Sequence, residues 1–205
     1  MIISDFYQTR IEASNYNVNI DSTDTVITVT LIDFNGAAVT GKSVTLTCDR
    51  GYFNKNGSTA ISGTTTKSIT ATTDSNGKIT ATWTASEWGL ATFSTSNPHQ
   101  SSHIQINVKG WRIHTNNSDY TFSYNQEWCE LRVHIASTTI PTSPEDFGGF
   151  TVPAGYRPAT PVVSPIYVGN RAIVQVGQAG NVGRSAFTAS ALNNVGVYAT
   201  LQWKY

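Results

Sequence analysis

Two pairs of neighbouring carboxylates are the first residues in this chain whose types and spacing suggest catalysis. Glu145 and Asp146 are adjacent in a segment rich in Pro and Gly, and Glu127 and Glu130 stand three residues apart in a strand pattern. Glycoside hydrolysis needs two carboxyl groups held about 5–10 Å apart across a cleft. A spacing of three along a strand sends the two side chains to opposite faces. We interpret all four acids as solvated loop and strand residues.

The histidines raise the question of a metal site, since His99 and His103 have the i, i+4 spacing that brings two ligands together on a helix. Pro98 and the neighbouring serines indicate a loop that enters a strand instead. We expect no resident metal, although a trimer axis would be able to gather histidines from three chains. The four histidines are His99, His103, His114 and His134.

The familiar catalytic fingerprints are missing from the sequence. It contains no Gly-x-Ser-x-Gly elbow, phosphate-binding loop, Cys-x-x-Cys pair or dinucleotide motif. The glycine-rich residues 177–183 follow a strand pattern and precede no helical one, which predicts a β-turn. We therefore expect a protein that is not an enzyme, with no catalytic residue and no cofactor.

Aromatic residues are stronger candidates for ligand binding than the acids and histidines are for catalysis or metal binding. Their flat faces suit sugar rings, while neutral amides and hydroxyls suit sugar hydroxyls. The alternative for each of them is packing in the core or between subunits. The candidates in the second half of the chain are Trp111, Tyr120, Tyr124, Trp128, Tyr156 and Tyr167.

Composition narrows the possible partners. Only 13% of the 205 residues are charged, against roughly 25% in ordinary soluble proteins, and the formal net charge is +0. No basic stripe is present to neutralise a phosphate backbone, so we expect no nucleic-acid partner. Asp5 interrupts the start before a signal-peptide run forms, and no apolar stretch of membrane length follows. These features predict a protein made in the cytoplasm and not inserted into a membrane.

The secondary-structure signal has a period of two almost throughout. Apolar residues alternate with Thr, Gln or Asn, which is typical of half-buried antiparallel strands. Turn pairs separate these strands, and no window has a convincing helical period, so we predict an all-β chain. The clearest apolar sets are Ile27/Val29/Leu31, Ile79/Ala81/Trp83 and Ile104/Ile106/Val108, and the turn pairs are Asn35-Gly36, Asn56-Gly57, Asn76-Gly77 and Asn97-Pro98.

The same alternation assigns faces to several other residues. Cys48 and Cys129 fall on inward positions, which predicts two buried free thiols and no disulfide. Residues 128–135 read as a strand that sends Glu130, Arg132 and His134 outward or into a neighbouring subunit. The closing strand, residues 195–205, is expected at the centre of its sheet. Residues 138–165 hold six of the seven prolines and are expected to form a long ordered loop.

Residues 24–108 resemble the bacterial immunoglobulin-like domains of invasin- and intimin-type adhesins. The resemblance rests on Asp33-Phe34-Asn35-Gly36, on Val39-Thr40-Gly41-Lys42-Ser43-Val44, on Thr73-Asp74-Ser75-Asn76-Gly77 and on Gly89-Leu90-Ala91-Thr92-Phe93, in this order and at family-like spacing. It implies an immunoglobulin-like β-sandwich. Such domains also occur in phage virion proteins, where they act as spacers or weak surface binders.

Residues 110–205 resemble the tip module of phage tail fibres. Val152-Pro153-Ala154-Gly155-Tyr156-Arg157-Pro158 leads into Pro165-Ile166-Tyr167-Val168-Gly169-Asn170, then Val174-Gln175-Val176-Gly177 and the closing strand. The motif singles out Tyr156 and Arg157, and with Trp111 and Tyr167 they make up the predicted ligand-binding set. An alternative role for Arg157 is architectural, since it is able to bind loop carbonyls or a neighbouring chain.

Together these patterns predict two domains, residues 1–109 and 110–205. The first is expected to be the immunoglobulin-like sandwich, and the second an antiparallel, jelly-roll-like β-sandwich that forms a homotrimer. The resemblances imply a virion protein of the tail-fibre, minor-tail or head-fibre type, displayed with other virion proteins and attached to a host-surface glycan or protein. The alternatives are a purely structural role in capsid decoration or tail assembly, and a cellular surface adhesin.

Overall fold

The computed structural model of the chain describes residues 7–96, 102–141, 145–165, 172–178, 180–186 and 192–205. The chain divides into two compact units, Met1–Gly110 and Trp111–Tyr205, called unit 1 and unit 2 below. The described residues form β-strands and one short 3-10 turn, Ala154–Tyr156. The predicted all-β class is confirmed.

The described residues of unit 1 form ten strands in two sheets. One sheet has the order β1-β3-β8-β5-β6, and the other has the order β2-β10-β9-β4-β7. In chain order the strands are β1 (Tyr7–Ala13), β2 (Asn17–Asn19), β3 (Thr25–Asp33), β4 (Ser43–Cys48), β5 (Tyr52–Asn56), β6 (Thr59–Ala60), β7 (Ser68–Thr72), β8 (Lys78–Thr84), β9 (Gly89–Ser96) and β10 (His103–Lys109).

This strand order is that of an immunoglobulin-like sandwich. In a constant-type domain, strands A, B, E and D form one sheet and strands C, F and G form the other. Here β1, β3, β8 and β5 follow the first order, and β4, β9 and β10 follow the second. The short β2 pairs in parallel with β10, and β6 and β7 lie at sheet edges. The predicted immunoglobulin-like sandwich is confirmed.

Three aromatic rings pack between the two sheets of unit 1. Trp83 packs edge-on against Phe93, with ring centroids 5.0 Å apart, and Phe93 packs against Phe53 at 6.2 Å. All three side chains are buried, and the indole Nε1 of Trp83 donates a hydrogen bond to the carbonyl oxygen of Arg50. Cys48 is a buried free thiol, as predicted. Burial raises the pKa of this thiol to about 12.

Two turns of unit 1 share one construction. Asp33 Oδ1 accepts hydrogen bonds from the backbone N–H groups of Asn35 and Ala37, and Asp74 Oδ1 accepts them from those of Asn76 and Lys78. These bonds to the ionised form lower the pKa of Asp74. The glycine of each turn has positive φ, as the Asn-Gly pairs predict. The predicted Asn97-Pro98 turn lies outside the described residues.

The described residues of unit 2 form eight strands in two antiparallel sheets, ordered β11-β12-β13-β18 and β14-β17-β16-β15. A jelly roll also divides eight strands between two sheets, but its strands form two Greek keys, whereas here three consecutive strands pair as a meander within each sheet. The strands are β11 (Arg112–Asn116), β12 (Tyr120–Tyr124), β13 (Trp128–Ile140), β14 (Glu145–Thr151), β15 (Val162–Pro165), β16 (Ala172–Val176), β17 (Asn181–Ala186) and β18 (Leu192–Lys204).

Two sequence predictions about unit 2 are wrong. The closing strand β18 lies at the end of the order β11-β12-β13-β18 and not at its centre, because alternation reports which face is buried and does not report how many neighbours a strand has. Residues 138–165 are not one long loop, since β14 and β15 lie inside it. β14 itself contains no proline, and β15 has one, Pro165, at the end of an edge strand, where a missing N–H is tolerated.

Replacing Gly51 by Ala is expected to destabilise unit 1 strongly. Gly51 has φ +66°, and a Cβ there would collide with the carbonyl oxygen of Thr84 and the indole of Trp83. Gly57 is the matched control because its φ is +59° and a Cβ there meets nothing within 4 Å. We expect Gly57→Ala to cost about 1 kcal/mol and Gly51→Ala about 1–3 kcal/mol more, from overpacking. Calorimetric unfolding measures both, and equal losses would contradict the proposed clash.

Candidate ligand-binding face

One face of the sheet β11-β12-β13-β18 is covered by the rest of unit 2. Phe122, Leu131 and Trp203 point to this side and are buried. Phe122 stacks on Trp203 at 6.1 Å and contacts Phe150 of β14 at 5.8 Å. The side chains of the opposite face therefore point away from the second sheet of the unit.

We call this opposite side the open face. Strand pairing brings its residues together, since Glu130 lies beside both Ser123 and Gln202, and Arg132 lies beside both Thr121 and Thr200. The open face consists of Ile113, Thr121, Ser123, Trp128, Glu130, Arg132, His134, Tyr198, Thr200, Gln202 and Lys204.

A buried carboxylate lies at the centre of the open face. Glu130 is only 8% exposed, and its two oxygens accept hydrogen bonds from Arg132 Nε at 2.7 Å and from Gln202 Nε2 at 2.6 Å. Its predicted outward direction is correct, yet the side chain is not solvated as we expected. The reason is that neighbours on both adjacent strands enclose it, which a pattern along one strand does not show.

An aromatic side chain marks one end of the open face. Trp128 is 39% exposed, and Lys204 Nζ lies 5.2 Å from the centroid of its ring. The same ammonium lies 3.6 Å from Glu127 Oε2. Glu127 thus reaches the side on which Glu130 lies, and the prediction of opposite faces is wrong. Strand alternation does not apply to Glu127 because it precedes β13.

Two rings in contact mark the other end of the open face. Tyr198 lies directly opposite His134 in the strand pairing, and their ring centroids are 4.6 Å apart. Tyr198 is 55% exposed. Because His134 is six residues beyond Trp128 on β13, the two aromatic ends are about 20 Å apart.

The open face presents side chains of types that are suited to binding a ligand. Exposed rings offer flat apolar surfaces, and hydroxyl, amide and guanidinium groups lie between them. Both carboxylates are already engaged by cations, so neither is placed as a free acid or base. Among the described residues, no group of three or more His, Cys, Asp or Glu side chains is arranged to hold a metal ion.

The structure describes three of the four predicted ligand-binding residues, and Trp111 lies beside a different element from Tyr156 and Arg157. Trp111 is exposed just before β11. Tyr156 lies on the 3-10 turn, and Arg157 follows it, with its Nε donating to the carbonyl oxygen of Val152 at 3.1 Å. This bond is of the kind expected for an architectural role. Tyr167 lies outside the described residues.

Tyr156 belongs to an aromatic cluster within unit 2. Its ring centroid lies 4.3 Å from that of Tyr124, 5.0 Å from that of Tyr205 and 6.0 Å from that of Phe122. Its carbonyl oxygen accepts a hydrogen bond from Trp203 Nε1 at 2.6 Å. The side-chain hydrogen bond to Tyr124, together with burial, raises the pKa of Tyr156 to about 12.

The sequence reasoning missed most of the open face. Neither Tyr198 nor Gln202 carries a signal of its own in the sequence. Alternation along the strand predicts that Arg132 and His134 point outward, but it gives them no role. These residues can be recognised as one site only when the outward-pointing residues of β13 and β18 are considered together. That step requires knowing how the two strands pair. Gln202 and Glu130 are 72 residues apart in the chain.

Among the described residues no helix is long and apolar enough to cross a membrane. No protein-family model and no curated protein matches the chain.

Several solved structures of bacterial adhesins match the chain, all at low similarity. The adhesin InvE of Yersinia pseudotuberculosis is 18% identical with a TM-score of 0.38, over 96% of this chain and 58% of its own. Invasin, a bacterial integrin-binding protein, is 12% identical with a TM-score of 0.44, over 97% and 36%. A C-terminal 282-residue fragment of intimin, in complex with the intimin-binding domain of its translocated receptor, is 11% identical with a TM-score of 0.36, over 95% and 99%. This chain thus spans little more than half of InvE and about a third of invasin. Similarity at this level carries no argument about its function.

Alkaline pH is expected to destabilise unit 2 through Tyr156. Its pKa is raised from 10.0 to about 12, so the folded state holds the phenol proton more tightly than the unfolded chain does. This contribution is fully present below pH 10 and is lost as the pH rises through about 12. The free energy of unfolding should therefore fall less steeply over this range in Tyr156→Phe than in the wild type. Denaturant titrations measure it, with pH 8 giving the baseline for altered packing, and parallel pH profiles would contradict the assignment.

Proposed function

We propose that this protein is a non-catalytic attachment module that binds a host-surface glycan or protein through the open face of unit 2. The observation that carries the proposal is the combination on one uncovered sheet face of exposed rings with a fixed polar centre. Trp128 and Tyr198 are exposed at the two ends, and Glu130 is buried between them. A sheet face that only faced water would not need rings at both ends.

Weak sites are enough for such a role. A multivalent display multiplies apparent affinity by roughly 10²–10⁴ without any new contact. The homotrimer predicted from the sequence would supply three copies of the open face, and trimerisation stays a prediction. Unit 1 would then act as a spacer, with Trp83, Phe93 and Phe53 packed between its two sheets.

The carrier of the module is either a cell surface or a virus particle. An adhesin on a cell surface and a phage virion protein both need a rigid spacer followed by a binding unit. The sandwich of unit 1 fits both, and the tail-fibre resemblance of unit 2 stays a prediction. We favour the cell-surface adhesin, because this proposal requires only the observed fold and a binding face.

Replacing the exposed rings should abolish attachment. We expect Trp128→Ala and Tyr198→Ala each to lower the binding of the labelled full chain to bacterial or animal host cells by about 10-fold or more, because each removes an exposed ring from the face. Phe34→Ala is the matched control, since Phe34 is an exposed ring of unit 1 with 78% exposure.

Flow cytometry measures the binding, and sedimentation equilibrium measures the oligomeric state of each variant. Equal losses in all three variants, or binding to no cell surface at all, would contradict the proposal. A change in oligomeric state caused by Trp128→Ala or Tyr198→Ala would instead assign the open face to contacts between copies. Degradation of a bound glycan with time would overturn the non-catalytic reading.

A further inference from the structure

Arg132 presents an unused hydrogen-bonding edge at the middle of the open face. Its side chain is 66% exposed, and its Nε donates to Glu130 Oε1 at 2.7 Å. Within the part of the chain that the structure describes, its two terminal nitrogens have no partner. Two parallel N–H groups in one plane match a carboxylate, which accepts both of them.

Glu130 fixes the direction of this edge. The carboxylate is buried, and Gln202 Nε2 holds its second oxygen at 2.6 Å. A guanidinium bound to such an anchor loses little further freedom when a ligand arrives. Glu130 also offsets the charge of Arg132, so the pair suits a planar monovalent anion better than a highly charged group.

The neighbours of Arg132 suit a sugar. Thr121 and Thr200 lie directly beside it on the two adjacent strands, about 5 Å away between Cβ atoms. His134 is two residues further along the same face, about 7 Å away, and the Tyr198 ring packs against its imidazole with centroids 4.6 Å apart. A fixed guanidinium, two hydroxyls and an exposed ring thus lie within the reach of one sugar residue and its substituents.

From this arrangement we infer that the open face binds a glycan that bears a carboxylate, such as one with a sialic or uronic acid residue. The carboxylate accepts from the terminal nitrogens of Arg132, and the sugar ring lies on Tyr198. This inference rests on the proposed function and specifies its ligand. An acidic peptide would use the guanidinium but not the hydroxyls and the ring together, and a phosphate group would lack the planar match.

The test uses the full chain against sialyllactose and hyaluronan, with lactose as the neutral probe, a phosphate-bearing polymer and polyglutamate. We expect binding to at least one of the two carboxylate-bearing glycans that exceeds binding to the other three probes by about 10-fold or more. Arg132→Ala should remove this preference, and Arg132→Lys should retain little of it, because an ammonium does not reproduce the two-pronged edge.

Arg10→Ala and Arg10→Lys are the matched controls. Arg10 is an exposed arginine on β1 that pairs with Glu12 at 2.7 Å, two residues away, as Arg132 pairs with Glu130. Both Arg10 variants should bind as the wild type does. Circular dichroism and thermal unfolding confirm that each variant is folded.

The outcomes separate the inference from the proposed function. Host-cell binding that survives enzymatic removal of sialic and uronic acids, or a preference for lactose, phosphate or polyglutamate, would overturn the inference and leave the attachment function standing. Full binding by Arg132→Lys, or equal weakening by the Arg10 and Arg132 variants, would also overturn it. Binding to no cell and no glycan would refute both.

Discussion

The pairing of β13 with β18 is the constraint on which the rest of unit 2 depends. The two strands stay in continuous register from Trp128↔Lys204 to Ile135↔Val197. Because side chains alternate between faces, this register directs one set of residues to the core and the other set to the open face. A slip of one residue in β13 would expose Leu131 and bury Arg132, and the same slip in β18 would expose Trp203. The core and the candidate site are therefore specified by the same pairing and cannot vary independently.

Glu130 shows why such a face is rigid at its centre. A buried carboxylate is costly unless it is paired and hydrogen-bonded, and both oxygens of Glu130 have charge-assisted or amide donors. Losing either donor would leave a buried group unsatisfied, at a cost of about 1–3 kcal/mol. The network thus holds Arg132 and Gln202 in place without requiring any ligand.

The sequence predicted unit 1 well because its signals are local. Alternating apolar residues and Asn-Gly turns define each hairpin within a few residues, and Asp33 and Asp74 close their turns with bonds to the next residues of the chain. Unit 2 was less predictable because its decisive contacts are distant in sequence. The edge position of β18, the strand β14 and the burial of Glu130 all depend on which strands become neighbours, and a one-dimensional pattern does not contain that information.

Two tyrosines of unit 2 show how strand register decides the role of a side chain. Tyr156 stood out in the sequence because it lies in a recognisable motif, and its ring packs against Tyr124 and Phe122. Tyr198 belongs to no motif. It is exposed beside His134 because strand alternation directs its side chain away from the core. A tyrosine in a sequence motif can be required by the fold and not by a ligand. Its usual contribution is then ring packing and a hydrogen bond. A binding face on a sheet is instead assembled from outward residues of several strands. It is recognised only when their register is known.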